Sequence, residues 1–124
     1  MLCNILSWGV GFVGKLPLKP VVKWAGGKSK ILDQLSRYLP TVFNNYHEPF
    51  LGGGAVFFYL FPEIRRRNAK AYLSDSVEEL INLYRVIRDD VETLITISKN
   101  HIYDQGSFYK IRSQNPAELT DIQR

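Results

Sequence analysis

One cysteine, two histidines and no internal repeat set the first limits on this 124-residue chain. Cys3 by itself cannot close an internal disulfide, and it stands in no metal-ligand spacing. His47 and His101 lie far apart with no cysteine near either, which argues against a structural zinc site or any other metal. A lone thiol fits a reducing compartment, so a cytoplasmic location is expected. The N-terminal stretch is fairly apolar, but Asn4 and Lys15 interrupt it and it is too short to span a bilayer. It has no basic leading region and no small-residue cleavage site. Residues 1–18 therefore read as a leader or packing arm, with a signal peptide or an upstream start codon as alternatives.

Hydrophobic residues make up 45% of the chain and charged residues 23%, ordinary values for a domain that buries a core. Wholesale disorder is excluded on that ground. The net charge of +4 leans toward polyanionic partners without establishing one.

Local patterns give an order of elements. Val21 to Trp24 is β-branched and aromatic, which predicts a short strand. Ala25-Gly26-Gly27 makes a tight loop. Ile31, Leu32, Leu35, Tyr38 and Leu39 then share one helical face, and Pro40 stops the helix. A second strand is expected around Tyr46 and His47, leading through Glu48-Pro49-Phe50 into Gly52, Gly53 and Gly54. Ala55 to Phe61 is apolar on every side, and the glycines before it with Pro62 after it favour a buried helix ending there.

Downstream, Arg65, Arg66, Arg67 and Lys70 form a basic turn, and Ala71-Tyr72-Leu73 predicts a strand ending at Ser74-Asp75. Ser76-Val77-Glu78-Glu79 has the form of a capping box. Asp89-Asp90 is expected to cap a further helix with Val91, Leu94 and Ile95 inward. Phe108, Tyr109 and Ile111 suggest another helical piece. Asn115-Pro116 reads as an N-cap with proline at the first helical position, about two turns before Arg124.

The informative unit is strand, glycine loop, buried helix, strand, acid. Asp75 falls roughly 20 residues beyond the glycines, the spacing of a nucleotide-binding βαβ unit. Glycine lets backbone approach a ligand without a Cβ clash, and an acid at the neighbouring strand tip can accept from both ribose hydroxyls. The unit therefore suits an adenosine-type cofactor. Taken alone, Gly-Gly-Gly also fits a plain turn, and Asp75 a strand-end turn residue. A second glycine loop, Lys23-Trp24-Ala25-Gly26-Gly27-Lys28, puts Lys28 at a helix start, where backbone N–H groups and an ammonium suit a carboxylate or phosphate. Gly27-Lys28-Ser29 also resembles the end of a Walker A loop, but that motif needs glycine at position 22, which is Val22.

Together these segments resemble one family. Lys23 to Lys28 looks like the N-terminal cofactor motif of Dam-type N6-adenine DNA methyltransferases, and Glu48 to Phe57 like the next motif. Leu73-Ser74-Asp75 with Glu79 to Tyr84 resembles the third, and Phe108 to Arg112 a later segment. The likeness covers roughly residues 19–124. It implies an α/β fold: a partial Rossmann-like sheet of an S-adenosylmethionine-dependent methyltransferase over 19–90, then the start of a helical DNA-recognition region over 91–124. It implies roles residue by residue. Trp24 and Lys28 help hold S-adenosyl-L-methionine, Glu48, Pro49, Phe50 and Gly52 wrap its methionine end, and Asp75 binds the ribose.

Two departures stand out. The family usually has asparagine two places after the acid, where this chain has Val77. The family's catalytic Asp-Pro-Pro-Tyr occurs nowhere in these residues. In the family that motif holds the amine of a flipped-out adenine and stacks on the base. Positioning of this kind supplies much of the rate, so no catalytic residue is assigned. The resemblance thus implies a DNA adenine N6-methyltransferase of the restriction-modification kind, acting on double-stranded DNA. This chain is expected to be its cofactor-binding part, inactive alone, with a missing C-terminal half. Two rivals remain: a non-catalytic DNA- or nucleotide-binding module using the basic turn, and another nucleotide enzyme such as a dehydrogenase.

Overall fold

A computed structural model describes residues 18–124, and the expected leader therefore lies outside the described residues except for its last position. The chain divides into two compact units between Ser76 and Val77.

The first unit is built on one βαβ crossover. Strand β1 (Asn45–Glu48) pairs in parallel with β2 (Lys70–Leu73), with Tyr46 opposite Ala71 and Glu48 opposite Leu73. The helix Ala55–Arg66 connects them. It begins from Gly54, whose left-handed backbone (φ 71) and lack of a side-chain cap suit glycine. Ala55, Val56, Phe57, Phe58, Leu60 and Ile64 are buried, so the all-round apolar run is a core helix. Phe57 and Leu51 are almost fully enclosed, and Phe57 sits among Tyr46, Phe58 and Phe61 with ring centroids 5.2–6.3 Å apart.

Proline does not end this helix where the sequence suggests. Pro62 lies inside it, and the helix continues to Arg66. Pro62 is exposed and costs one backbone bond, but burial of Ile64 and pairing of Glu63 with Arg66 and Arg67 hold the last turn. Arg66, the larger influence, and Arg67 together draw the Glu63 carboxyl down to about 2. The helix closes in a Schellman motif. Asn68 takes the left-handed position (φ 52), its N–H donates to the Arg65 carbonyl, and the Ala69 N–H donates to the Ile64 carbonyl.

The segment before β1 also departs from expectation. Residues 21–24 form no strand, and Val21 is exposed; among the described residues β1 and β2 pair only with each other, so a β-prone run there finds no described ladder to join. The expected helix exists as 3-10 turns at Lys28–Ile31 and Ser36–Tyr38 around α1 (Leu32–Leu35). Its apolar stripe has the α-helical period of 3.6 residues per turn, whereas 3-10 turns repeat at three. Leu32, Leu35 and Leu39 are half-buried, while Ile31 and Tyr38 are exposed. Leu39 is extended before Pro40, as a residue preceding proline must be. The crossover helix Ala55–Arg66 is α2.

The second unit is helical. Helix α3 (Glu78–Asp89) buries Leu80, Ile81, Asn82 and Tyr84. Its N-cap is Val77 without a side-chain bond, so the Ser76 capping box does not form. The helix starts one residue later than that motif needs. Asp90 caps α4 (Val91–Lys99) as expected, its carboxylate accepting from the Thr93 N–H. Val91 and Ile95 are nonetheless exposed rather than inward. Asp104 caps α5 (Gln105–Arg112), on which Phe108, Tyr109 and Ile111 are exposed. Asn115 caps as anticipated, but it opens only a single 3-10 turn, Pro116–Glu118, and not a longer helix. Asn82 ties α3 to the chain end by donating to the Asp121 carbonyl at 2.5 Å, and Arg124 pairs with Glu78.

Candidate functional site

Two loops of the first unit meet at one place. Two further bonds join the chain after β1 to the end of β2, the second one residue out of the ladder register: the Ser74 N–H donates to the Glu48 carbonyl and the Leu51 N–H to the Ser74 carbonyl, each at 3.0 Å. This lays the glycine loop alongside the end of β2. The Gly52 N–H then donates to Asp75 Oδ2 at 2.8 Å. Gly52 adopts φ +53, a conformation that side-chain-bearing residues rarely take. The acid at the tip of β2 therefore faces the glycine turn.

The upstream loop closes over the same point. Gly27 donates to the Trp24 carbonyl at 3.0 Å with Gly26 at φ +72, a type II turn that calls for glycine third. Trp24 lies across Gly52, where an added Cβ would stand 3.4 Å from Trp24 Cδ1. Gly53 is tighter still: a Cβ there would come within 2.9 Å of the Val22 carbonyl oxygen. The triple glycine thus has a packing requirement that a plain turn does not.

Between the loops lies a cavity of about 280 Å³, lined by Trp24, Gly26, Lys28, Phe50, Gly52 and Asp75 among others. Lys28 forms its cationic wall. The Nζ donates to Glu48 Oε1 at 3.1 Å and to the Phe50 carbonyl at 2.7 Å. Glu48 is buried and also accepts from the Tyr46 hydroxyl at 2.7 Å. Burial first, then the hydrogen bond to Glu48 and its charge, raises the Tyr46 pKa, so the hydroxyl stays a donor.

A family model described as D12 class N6 adenine-specific DNA methyltransferase matches residues 24–124. The chain belongs to that family. Relatives of this D12 class chain agree. It is 42% identical to the type II methyltransferase M.MjaIII of Methanocaldococcus jannaschii, over 88% of this chain and 43% of the relative. It is 40% identical to the type II methyltransferase M1.LlaDCHI of Lactococcus lactis subsp. cremoris, over 77% of this chain and 31% of that protein. The DNA adenine methylase of Haemophilus influenzae is 37% identical over 65% of this chain and 26% of its own length. The chain spans about a third to two-fifths of the length of the curated relatives it matches first. Membership of a DNA methyltransferase family implies a methyl donor.

Within this D12 class chain, five of the seven site residues named from sequence share the cavity wall: Trp24, Lys28, Phe50, Gly52 and Asp75. Glu48 and Pro49 do not line it. Glu48 holds Lys28, while the Pro49 carbonyl lies 3.4 Å from the Ser74 hydroxyl. Sequence reasoning misses Tyr46, although its position two residues before Glu48 on a strand places both on one face. It also misses that Gly53 is required by its close approach to the Val22 carbonyl and not only as part of a ligand-facing loop. The basic turn is largely engaged internally: Arg66 and Arg67 both pair with Glu63, and Arg67 also donates to the Thr41 carbonyl and lies over the Phe43 ring. Among the described residues there is no group of histidine, cysteine or acidic residues arranged to hold a metal ion, and no helix long and apolar enough to cross a membrane.

Proposed function

We propose that these residues form the S-adenosyl-L-methionine-binding part of a DNA adenine N6-methyltransferase, within a Rossmann-like sheet that β1 and β2 begin. The observation that carries this reading is the 2.8 Å bond from the Gly52 N–H to Asp75 beside a cavity that Lys28 and Trp24 also line. Asp75 offers carboxylate acceptors to ribose hydroxyls. Trp24 offers an apolar face. Lys28 has three N–H donors and spends two on Glu48 and Phe50, which leaves one for a ligand carboxylate. S-adenosylmethionine supplies the methyl group on a sulfonium when bound. The protein's share is to fix where that group stands, since a misplacement of about 1 Å costs about 100-fold in rate.

Duplex DNA is the proposed partner, and adenine N6 the acceptor. Holding the acceptor base needs groups that these residues do not include, so the 124-residue protein is proposed to bind cofactor weakly and to transfer no methyl group. The test pairs a melting experiment with an activity assay. S-adenosylhomocysteine at about 100 times its dissociation constant should stabilise the protein by about 2.7 kcal/mol, and NAD should leave the melting temperature unchanged. No radiolabel should pass from S-adenosylmethionine to adenine-containing duplex DNA. Stabilisation by NAD would favour the dehydrogenase class, and labelled DNA would overturn the proposed inactivity.

A further inference from the structure

We propose that Tyr46 is a positioning residue of this cavity, acting on the ligand's acidic end through Glu48 and Lys28; the proposal rests on the cofactor reading above. Three bonds run in series. The Tyr46 hydroxyl donates to Glu48 Oε2 at 2.7 Å, Lys28 donates to Glu48 Oε1 at 3.1 Å, and Lys28 donates again to the Phe50 carbonyl at 2.7 Å. Of Tyr46, Glu48 and Lys28, only Lys28 lines the cavity.

Each link has a reason. Glu48 is buried at the end of β1, with 6% of its side chain exposed, and a buried carboxylate needs its oxygens satisfied. Tyr46 shares its face of the strand, and the ring is itself held by packing near Phe57. One carboxylate oxygen is thereby fixed by a rigid aromatic donor, so the other meets Lys28 in one orientation. Lys28 is a long, flexible side chain, and 35% of it is exposed. Without a fixed acceptor it would sample many rotamers at a cost in ordering entropy on binding. Tyr46 therefore matters for the group Lys28 holds and not for the rest of the ligand.

That selectivity separates positioning from general loosening. Tyr46→Phe keeps the ring and its packing and deletes one hydroxyl. The probes are S-adenosylhomocysteine, which carries the amino-acid carboxylate, and 5′-methylthioadenosine, which keeps the adenosine and the sulfur but lacks that carboxylate. Titration calorimetry on the 124-residue protein should find S-adenosylhomocysteine weakened about fivefold by Tyr46→Phe, with 5′-methylthioadenosine changed less than about twofold. In a Glu48→Gln background the same Tyr46→Phe substitution should add nothing, because the path to Lys28 runs through the Glu48 carboxylate. Equal weakening of both ligands, no weakening of either, or an undiminished effect in the Glu48→Gln background would each overturn the proposal. Failure of the unsubstituted protein to bind both ligands would overturn the cofactor reading, and this proposal with it.

Discussion

Lys28→Met should abolish measurable binding of S-adenosylhomocysteine and also lower the protein's unfolding free energy by about 2–3 kcal/mol. The two effects have different origins. Removing one partner of a fully buried ion pair costs about 3–5 kcal/mol because the other charge stays behind without compensation. Glu48 is that other charge, nearly fully enclosed, while Lys28 is about one-third exposed, so solvent screening reduces the figure. The Phe50 carbonyl also loses its donor. The double substitution Lys28→Met with Glu48→Gln removes the stranded charge and should recover most of the stability. It should not recover binding, because the ammonium facing the cavity is still gone. Urea unfolding measures the first quantity and calorimetric titration the second. Restored binding in the double variant would mean that Lys28 acts only through the fold.

Asp75→Ala should weaken S-adenosylhomocysteine by about 10- to 100-fold, the scale of losing hydrogen bonds to a charged acceptor. The unfolded chain is little affected by this change, and Asp75 is only half-buried, so the melting temperature should fall modestly. The Gly52 N–H loses its 2.8 Å acceptor, which loosens the turn on the side facing the ligand. A 2′-deoxyribose analogue of the ligand gives the finer reading. In the unsubstituted protein it should bind less well than the ribose form. In Asp75→Ala the two should bind alike, because the group that distinguishes them is absent. A preserved preference for the ribose form would place the hydroxyl contact on another residue.

Much of the site is legible in the sequence because its elements are local. The order from Tyr46 through the glycines to Asp75 specifies a βαβ unit by spacing, and β1, α2 and β2 fall where that order requires. The Gly26-Gly27 turn is legible for the same reason. The features that escape sequence reasoning depend on distant partners or on cooperative ends. Residues 21–24 have the composition of a strand, but strand formation needs a neighbouring ladder, and none of the described strands supplies one. Pro62 would end an isolated helix, yet Ile64 is buried and the Glu63 pairs add charge stabilisation beyond it. Ser76 matches the capping pattern, but Val77 takes the cap position, so a one-residue shift removes the motif. Glu48 is singled out by its motif in the sequence, but its partners are not. Only coordinates place it on both Lys28 and Tyr46.

The family assignment and the cavity bear on different properties of the chain. The match over residues 24–124 establishes lineage. Convergence of Trp24, Lys28, Gly52 and Asp75 on one ligand is a physical statement about this chain alone, and it can be read residue by residue. Titrating isotopically labelled protein with S-adenosylhomocysteine and following its amide and indole resonances reads it most directly. The Gly26, Gly27 and Gly52 amides and the Trp24 indole N–H should move together along one saturating curve, and in Asp75→Ala that curve should shift to about 10- to 100-fold higher ligand concentration. Shifts confined to the α4 and α5 residues, or a Gly52 amide unmoved at saturation, would contradict the account.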